Sequence, residues 1–521
     1  MGKNSNKRLI ETIVISGLGV AIGYIINFLV TPYITEHLGV EAYGFVSIAN
    51  SVVSYAGILT IALTSFIVRF ISVSYHENKI SEAKSYFSSS VYACVLLSVV
   101  ILAVSFLMIW KLEYLLNIPD QLVVSVKILF LVVFLNFVVN TCSTPYNTAA
   151  YIKNRLDLVG ILKIVGKIIE AIIIAALFFF LPPEVWYVAL GALVSTLLVF
   201  FGCLLMTKKL TPELKFAKLY VSKNKIIILV KNGVWDAFNQ LGNVLNSGLD
   251  LIIANLMLTG VETGQIAIVK TVGTIFSTLF QTVYQPFQPT LLKSYADGSG
   301  KSFLKEMSKA MRICGFFGAL AFAGFVALGK LYYQLWMPTQ DSDMLLILTI
   351  ITVMNNITDS ILRPVYYVST LTVKNKIPCW VTIAGGVLNV ISMYFLIKYT
   401  NMGIYAVVIT TAVIMISINL FFNPIYAAKC LNMSSGFFYK ILTRHIFGTI
   451  VMTAVFKIIS NIFSPSTWLG LIFVALTMCV IGLIIYFYIM CNSKEREHAY
   501  RYLKIKLGRI GGKSLKQRGS G

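Results

Sequence analysis

The chain has 521 residues, of which 57% are hydrophobic and only 12% are charged. An ordinary soluble protein has about 25% charged residues and cannot bury so large an apolar fraction. The composition therefore excludes a water-soluble enzyme and predicts an all-α polytopic membrane protein. A net charge of +22 points to nucleic acid, an anionic membrane face or an anionic substrate as a partner.

Fourteen segments are apolar and long enough to span a membrane, which takes roughly 20 helical residues. We predict spans at residues 9–30, 44–70, 85–110, 121–144, 157–181, 185–207, 228–257, 264–292, 308–330, 344–363, 377–397, 402–428, 440–460 and 467–491. No small-residue cleavage site follows the first of these, so we expect a retained span rather than a signal peptide.

Lysine and arginine are distributed unequally between alternate loops. Of the 43, 35 lie on the side that includes both termini, while the opposite loops hold only Lys111, Lys330 and Lys398. Membrane proteins keep their basic loops in the cytoplasm, so we predict a multi-pass protein of the cytoplasmic membrane with both termini cytoplasmic. Basic loops beside anionic lipid account for the net charge, and we expect no nucleic-acid partner.

Three short sequence matches recur at a spacing of 220 or 221 residues. They pair residues 38–44 with 259–264, Ser74-Tyr75 with Ser294-Tyr295, and residues 153–155 with 374–376. A repeat of six spans keeps the same topology, so the two copies are expected to enclose a substrate path between them. We predict an N-terminal lobe at 1–222, a C-terminal lobe at 223–432, two further spans in 433–492 and a basic cytoplasmic tail at 493–521.

Polar residues recur along one face of the predicted seventh span. They follow one another at spacings of three and four residues, which places them together on a helix, and they are Asp236, Asn239, Asn243, Asn246 and Asp250. We interpret this face as a cavity wall that binds sugar hydroxyls. The alternative is that the same side chains join neighbouring helices by hydrogen bonds.

Basic residues inside or at the ends of spans form a second group of candidates. An ionisable group at the centre of a span costs about 2.5–3.5 kcal/mol, so it is expected to have a partner or a function. Lys163, Lys167, Lys270 and Arg69 are suited to bind a diphosphate along its route. Alternatively, Lys167 pairs with Glu170 and Lys163 snorkels to the surface.

Three aspartates, Asp236, Asp250 and Asp359, are candidates for ion coupling, although Asp359 has the spacing to pair with Arg363. Two prolines in the eighth span, at 286 and 289, predict a bend. The four histidines lie in loops or at predicted span ends, with no metal-ligand spacing, and they are His37, His76, His445 and His498. We therefore expect no metal and no cofactor.

These elements resemble the Wzx-type flippases of O-antigen and capsule repeat units, in the MOP superfamily. The similar features are a proline after span one (Pro32), an LG-x-E-x-(x)-G loop entering span two, basic loops before spans five and eleven, and the six-six-two count of spans. The resemblance implies a MATE-like fold with two lobes and alternating access. It also implies an undecaprenyl-pyrophosphate-linked oligosaccharide as cargo, with a polysaccharide polymerase and chain-length machinery as partners.

Two other functions fit a polytopic membrane protein. A cation-coupled multidrug extruder is expected to have an acidic, aromatic-lined site, whereas five lysines lie within the predicted spans. A membrane-embedded polysaccharide polymerase or ligase is expected to have a large outer loop, whereas the longest one runs only from about residue 329 to 343. The pattern thus favours a flippase over an extruder and over an enzyme.

Overall fold

The structure, a computed structural model, describes residues 21–490 except 154, 297–298, 373 and 464, and also residues 496–497. The first half of the predicted span one and almost all of the predicted basic tail lie outside these residues. The regular structure in the described part is helical. Its helices are α1 (21–37), α2 (Val40–Thr64), α3 (Ile67–His76), α4 (Ile80–Trp110), α5 (Leu112–Leu115), α6 (Val123–Ile152), α7 (Leu156–Phe180), α8 (Trp186–Leu210), α9 (Lys223–Ser247), α10 (Asp250–Met257), α11 (Gly260–Tyr284), α12 (Phe287–Ala296), α13 (Gly300–Trp336), α14 (Ser342–Leu371), α15 (Lys376–Tyr399), α16 (Ile404–Ser417), α17 (Asn423–Cys430), α18 (Gly436–Ile462) and α19 (Trp468–Met490).

The prediction of an all-α polytopic fold is confirmed. Eleven helices or helix pairs in the described residues are long and apolar enough to cross a membrane. Three predicted spans are not among them. Span one begins outside the described residues, and spans five and seven correspond to α7 and α9, which carry charged and amide side chains along their length.

Three predicted spans are broken, each into a long and a short helix. The seventh consists of α9 and α10, and the other two break at equivalent positions. Span two consists of α2 and α3, with the break at Ser65 and Phe66, and span eight consists of α11 and α12, with the break at Gln285 and Pro286. The first and last residues of α11 and α12 each lie 220 residues after the corresponding residues of α2 and α3. The helix bounds thus recur at the spacing of the short sequence matches, and Pro286 interrupts its helix as predicted.

The two matching loop motifs contact each other where α2 and α11 begin. A Cβ on Gly44 would lie 3.2 Å from the Gly264 Cα, and one on Gly264 would overlap the Val40 carbonyl oxygen. Only glycine allows two backbones to approach so closely. Gly44 and Gly264 are therefore required for this helix packing.

The described helices form two compact units. The first reaches to Lys270 and also includes Cys379–Thr411, and the second comprises Thr271–Pro378 and the chain from Ala412 onward. In the second unit a large apolar core joins α13, α14, α18 and α19. The division into lobes at 222 and 432 stays a prediction.

Two sequence expectations are wrong in detail. Pro32 lies inside α1, which continues to residue 37, rather than after the helix. His445 is fully buried within α18 rather than at a span end, because α18 begins at Gly436, earlier than predicted. Its ring nitrogens lie 2.9 Å from the Tyr486 hydroxyl and 2.8 Å from the Ile357 carbonyl oxygen, so the polar ring is satisfied within the second unit.

Candidate functional site

A polar cavity of about 520 Å³ lies among α1, α6, α7 and α8 of the first unit. This volume is within the usual range of small-molecule sites. Its wall consists of Gly23, Tyr24 and Asn27 of α1; Asn136, Asn140 and Ser143 of α6; Gly160, Lys163, Lys167 and Glu170 of α7; and Ala192, Ser195, Thr196 and Val199 of α8. The four helices thus surround one space that is rich in amides, hydroxyls and charges.

Each helix contributes one face to the wall. On α6 the lining residues recur at spacings of four and three, and on α7 at three, four and three, which is the period of a single helical stripe. Because the rest of both helices is largely apolar, the polar stripe turns toward the cavity while the apolar faces either contact neighbouring helices or are exposed. The wall therefore follows from the sequence period of each helix.

Glycines bring α7 and α8 close together beside the cavity. A Cβ on Gly166 would lie 2.7 Å from the Ser195 hydroxyl oxygen, and a Cβ on Gly191 would lie 2.8 Å from the Ile174 side chain. Small residues allow such close helix packing in membrane proteins. This contact fixes the orientation of α7 and, with it, the direction in which Lys163 and Lys167 extend.

The charges in the wall consist of two lysines and one glutamate. The Lys167 ammonium donates to both carboxylate oxygens of Glu170, at 2.8 Å each. Glu170 is nearly buried, whereas 37% of the Lys167 side chain is exposed. Lys163 is exposed and forms no ion pair with a described residue. The wall thus carries one positive charge in excess, and Lys163 can bind an anion without first losing a partner.

The amides and hydroxyls of the wall include both hydrogen-bond donors and hydrogen-bond acceptors. Asn136 has a buried Oδ1 with no donor among the described residues, and a buried acceptor of this kind is costly unless something donates to it. The Asn140 side chain is exposed to the cavity, and the Ser143 hydroxyl donates at 2.8 Å to the Asn140 carbonyl. Such groups can bind the hydroxyls of a sugar.

The structure brings Lys163, Lys167 and Glu170 together as predicted but places Lys270 elsewhere. The Lys270 ammonium donates to Asp250 Oδ2 at 2.9 Å, and Asp250 is almost fully buried. At the adjacent break between α9 and α10, the Tyr55 hydroxyl donates to the Gly248 carbonyl at 2.6 Å. Lys270 and Asp250 therefore form an ion pair outside the cavity wall.

The predicted polar stripe of α9 divides into two parts. Asp236, Asn239 and Asn243 are exposed, and none of them lines the cavity among α1, α6, α7 and α8. Asn246 is buried, and its amide donates to the carbonyl oxygens of Gly242 and Thr382 at 2.8 and 2.7 Å. Asn246 thus joins α9 to α15, which was the alternative interpretation of the stripe.

The remaining candidates lie apart from this cavity. Arg69 is exposed on α3, with its guanidinium 5.9 Å from the centre of the Phe66 ring. Asp359 lies in the second unit, where its carboxylate accepts from Arg363 at 2.8 Å. Neither residue belongs to the cavity wall.

Several wall residues were not predicted from the sequence. Asn136, Asn140 and Ser143 have the same spacing as the charged stripe of α7, and Tyr24 and Asn27 are three residues apart on α1. These side chains are uncharged, so they do not stand out as costly charges within the predicted spans. The spacing itself was a usable signal.

The family described as "Polysaccharide biosynthesis protein" matches residues 9–293. Among curated proteins, the chain is similar to "Uncharacterized membrane protein EpsK" of Bacillus subtilis (strain 168). The two are 26% identical over 480 residues, which cover 92% of this chain and 95% of that protein.

Two solved structures share the fold. One, described as "Lipid II flippase MurJ, inward closed conformation", superposes with a TM-score of 0.63 at 14% identity, over 91% of this chain and 99% of that one. The other is an inward-facing multidrug resistance MATE family transporter of the MOP superfamily, with a TM-score of 0.62 at 12% identity, over 82% and 99%. The predicted resemblance is confirmed at the level of the family and of a MATE-like fold, and at these identities the two structures establish the fold alone.

Proposed function

The chain belongs to the polysaccharide biosynthesis protein family and has the fold of MOP-superfamily transporters, and on this premise we propose that it is a flippase. Its substrate is an undecaprenyl-pyrophosphate-linked oligosaccharide, which it moves from the inner to the outer leaflet by alternating access. The observation that carries this proposal is the cavity in which two lysines lie beside a set of amides and hydroxyls. That combination matches a head group made of a diphosphate and sugars.

The lysines are suited to the diphosphate. Lys163 has no competing carboxylate among the residues that the structure describes, and Lys167 is half-exposed beside Glu170. An entering anion therefore gains charge-assisted hydrogen bonds. An inside-negative potential drives an anion outward, and a head group of charge −2 gains about 4.6 kcal/mol per 100 mV. The protein therefore needs only to provide a path for this head group.

The uncharged side chains are suited to the sugars. Asn27, Asn136 and Asn140 present donors and acceptors toward the same space as the two lysines. A sugar hydroxyl both donates and accepts, so amides bind it in several orientations. This adaptability is useful in a flippase because successive sugars must pass the same wall.

The remaining assignments extend the same proposal. The protein functions in the cytoplasmic membrane with both termini in the cytoplasm, and a polymerase and chain-length machinery use its product for surface polysaccharide. Exposed Asp236, Asn239 and Asn243 and the exposed Arg69 contact substrate elsewhere on its route. The Lys270–Asp250 ion pair and the hydrogen bonds of Asn246 hold helices together. Asp359 is a weaker ion-coupling candidate than the exposed Asp236, because Arg363 already neutralises Asp359.

A cation-coupled drug extruder is the competing function for this fold. The one carboxylate in the cavity wall, Glu170, is bonded to Lys167 through both oxygens. An organic cation would have to displace Lys167 and would still be repelled by Lys163. The charge of the wall therefore favours an anionic substrate.

The test replaces both cavity lysines in a strain that depends on this protein for surface polysaccharide. We expect Lys163→Ala with Lys167→Ala to abolish the surface polysaccharide and to cause lipid-linked intermediates to accumulate at normal protein levels. Lys457→Ala is the matched control, because Lys457 is an exposed lysine on α18 outside the cavity wall, and it should have no effect.

Two results would contradict the proposal. One is a normal surface polysaccharide in the double lysine variant. The other is drug accumulation, rather than accumulation of lipid-linked intermediates, in a strain that lacks the protein. That second result would favour the extruder.

A further inference from the structure

A second space, an apolar groove of about 570 Å³, lies between α1 and α7. Its wall includes Ile25 and Leu29 of α1 and Ile168, Ile172 and Ala175 of α7. Leu29 and Ile172 are 64% and 61% exposed, so the groove is open along its length. Ala175 leaves space where a larger side chain would fill it.

The groove adjoins the polar cavity along the same two helices. On α7, Lys167 lines the cavity and the next residue, Ile168, lines the groove; on α1, Asn27 lines the cavity and its neighbour Ile26 lines the groove. A Cβ on Gly23 would lie 3.8 Å from the Lys167 side chain. A single molecule with a polar and an apolar part can therefore occupy both spaces at once.

The order of the two spaces along α7 sets the direction in which a bound lipid would lie. On α7 the cavity lysines precede the groove and lie nearer the end that the positive-inside pattern assigns to the cytoplasm. The groove follows over residues 168–179, which is roughly 16 Å of helix. At the far end, the Tyr33 hydroxyl donates to the Phe178 carbonyl at 3.4 Å, and the two rings lie 4.7 Å apart. Lys167 already lies roughly 16 Å along α7 from its first residue. A head in the cavity therefore directs its chain along the second half of α7, as far as this contact.

The geometry points to the occupant: the groove binds the isoprenoid segment next to the diphosphate while the diphosphate lies against Lys163 and Lys167. This assignment rests on the proposed function and extends it to the lipid part of the substrate. Two lysines one helical turn apart suit a diphosphate better than the single phosphodiester of a membrane phospholipid. The groove thus selects the lipid carrier, whereas the cavity binds the polar head.

The test measures the binding of two probes, undecaprenyl diphosphate and inorganic diphosphate, to the purified full chain in detergent. We expect Ala175→Trp to weaken the binding of undecaprenyl diphosphate about tenfold, the loss expected when roughly two methylene-sized groups no longer fit. It should leave inorganic diphosphate binding unchanged. Ala454→Trp is the matched control, since Ala454 is an exposed alanine on α18.

The outcomes separate the two proposals. If Ala175→Trp binds undecaprenyl diphosphate like the unaltered chain while Lys163→Ala weakens the binding of both probes, the groove assignment is wrong and the flippase proposal stands. If the lysine substitutions change the binding of neither probe, the proposed function fails.

A crosslinking measurement covers the case in which Ala175→Trp disturbs the cavity as well. A benzophenone amino acid in place of Ile172 should crosslink to undecaprenyl diphosphate in vesicles that contain excess phosphatidylglycerol. Unlabelled undecaprenyl diphosphate should compete. Adducts with phosphatidylglycerol alone would overturn the assignment and make the groove an ordinary lipid contact.

Discussion

The polar cavity of the first unit and a polar cluster of the second are built from similar residues with opposite outcomes. The cavity is lined by α1, α6, α7 and α8. The cluster uses α14, which begins 219 residues after α6, with the segment that joins α16 and α17. Each contains a pair of opposite charges one helical turn apart, Lys167 with Glu170 and Asp359 with Arg363. Amides accompany both pairs.

The cluster is closed upon itself. Asn419 donates to Asn355 at 2.8 Å and accepts from the Tyr366 hydroxyl at 2.7 Å. The Arg363 guanidinium donates to Asp359 and, at 2.9 Å, to Ser277. In the cavity, by contrast, Asn136 Oδ1 has no donor among the described residues. These two regions therefore differ in how fully their polar groups are satisfied rather than in the kinds of residue that they contain.

The largest expected effect comes from breaking the ion pair in the closed cluster. Asp359→Ala leaves the guanidinium of Arg363 without its partner in a partly buried position, and we expect a loss of about 3–5 kcal/mol in the free energy of unfolding. Thermal unfolding in detergent measures it. The double variant Asp359→Leu with Arg363→Met should lose less of the free energy of unfolding. An equal or greater loss in the double variant would show that the uncompensated charge of Arg363 does not cause the destabilisation.

A smaller effect is expected from matched amide substitutions in the two regions. Asn419→Leu leaves the side-chain oxygen of Asn355 without its donor and the Tyr366 hydroxyl with only its 3.3 Å bond to Asp359, at a cost of about 1–3 kcal/mol. Asn140→Leu strands no buried partner, so its stability should change by less than about 0.5 kcal/mol while transport falls. Unfolding curves and the accumulation of lipid-linked intermediates distinguish the two variants. Equal destabilisation by Asn419→Leu and Asn140→Leu would contradict the difference between the closed cluster and the cavity.

The smallest effect concerns the acid of the cavity. Glu170→Gln removes the carboxylate that holds Lys167, so the binding of inorganic diphosphate to the purified chain should strengthen roughly threefold, within the range of a partly exposed ion pair. Glu170→Gln combined with Lys167→Gln serves as the control and should bind more weakly than the unaltered chain. A weaker affinity for Glu170→Gln alone would mean that Glu170 positions Lys167 for the anion rather than competing for it.

Helical periodicity predicted the stripe of α7 because its charged residues recur within an otherwise apolar segment. The same period exists in Asn136, Asn140 and Ser143 of α6, but amides are common in helix contacts and give a weaker signal. The sequence could not show that Asn246 bonds to Thr382 or that Lys270 bonds to Asp250. These pairs depend on which helices become neighbours, and spacing within one helix contains no such information.

The break within the predicted seventh span has a similar explanation. The hydropathy of residues 228–257 predicts one helix, whereas α9 ends at Ser247 and α10 begins at Asp250. The Gly248 carbonyl that the break leaves without a helical partner accepts from Tyr55, a residue 193 positions away. A satisfied break of this kind requires a tertiary contact, so local sequence could not predict it, whereas Pro286 marked the break between α11 and α12 directly.

Translocation in reconstituted vesicles tests the central claim most directly, namely that the cavity of the first unit binds the anionic head of a lipid-linked sugar. The measurement is the rate at which an undecaprenyl-pyrophosphate-linked oligosaccharide becomes accessible to a membrane-impermeant reagent on the opposite leaflet. We expect movement with the unaltered chain and with Lys457→Ala, and none above protein-free vesicles with Lys163→Ala and Lys167→Ala combined. Equal rates for all three proteins would contradict it.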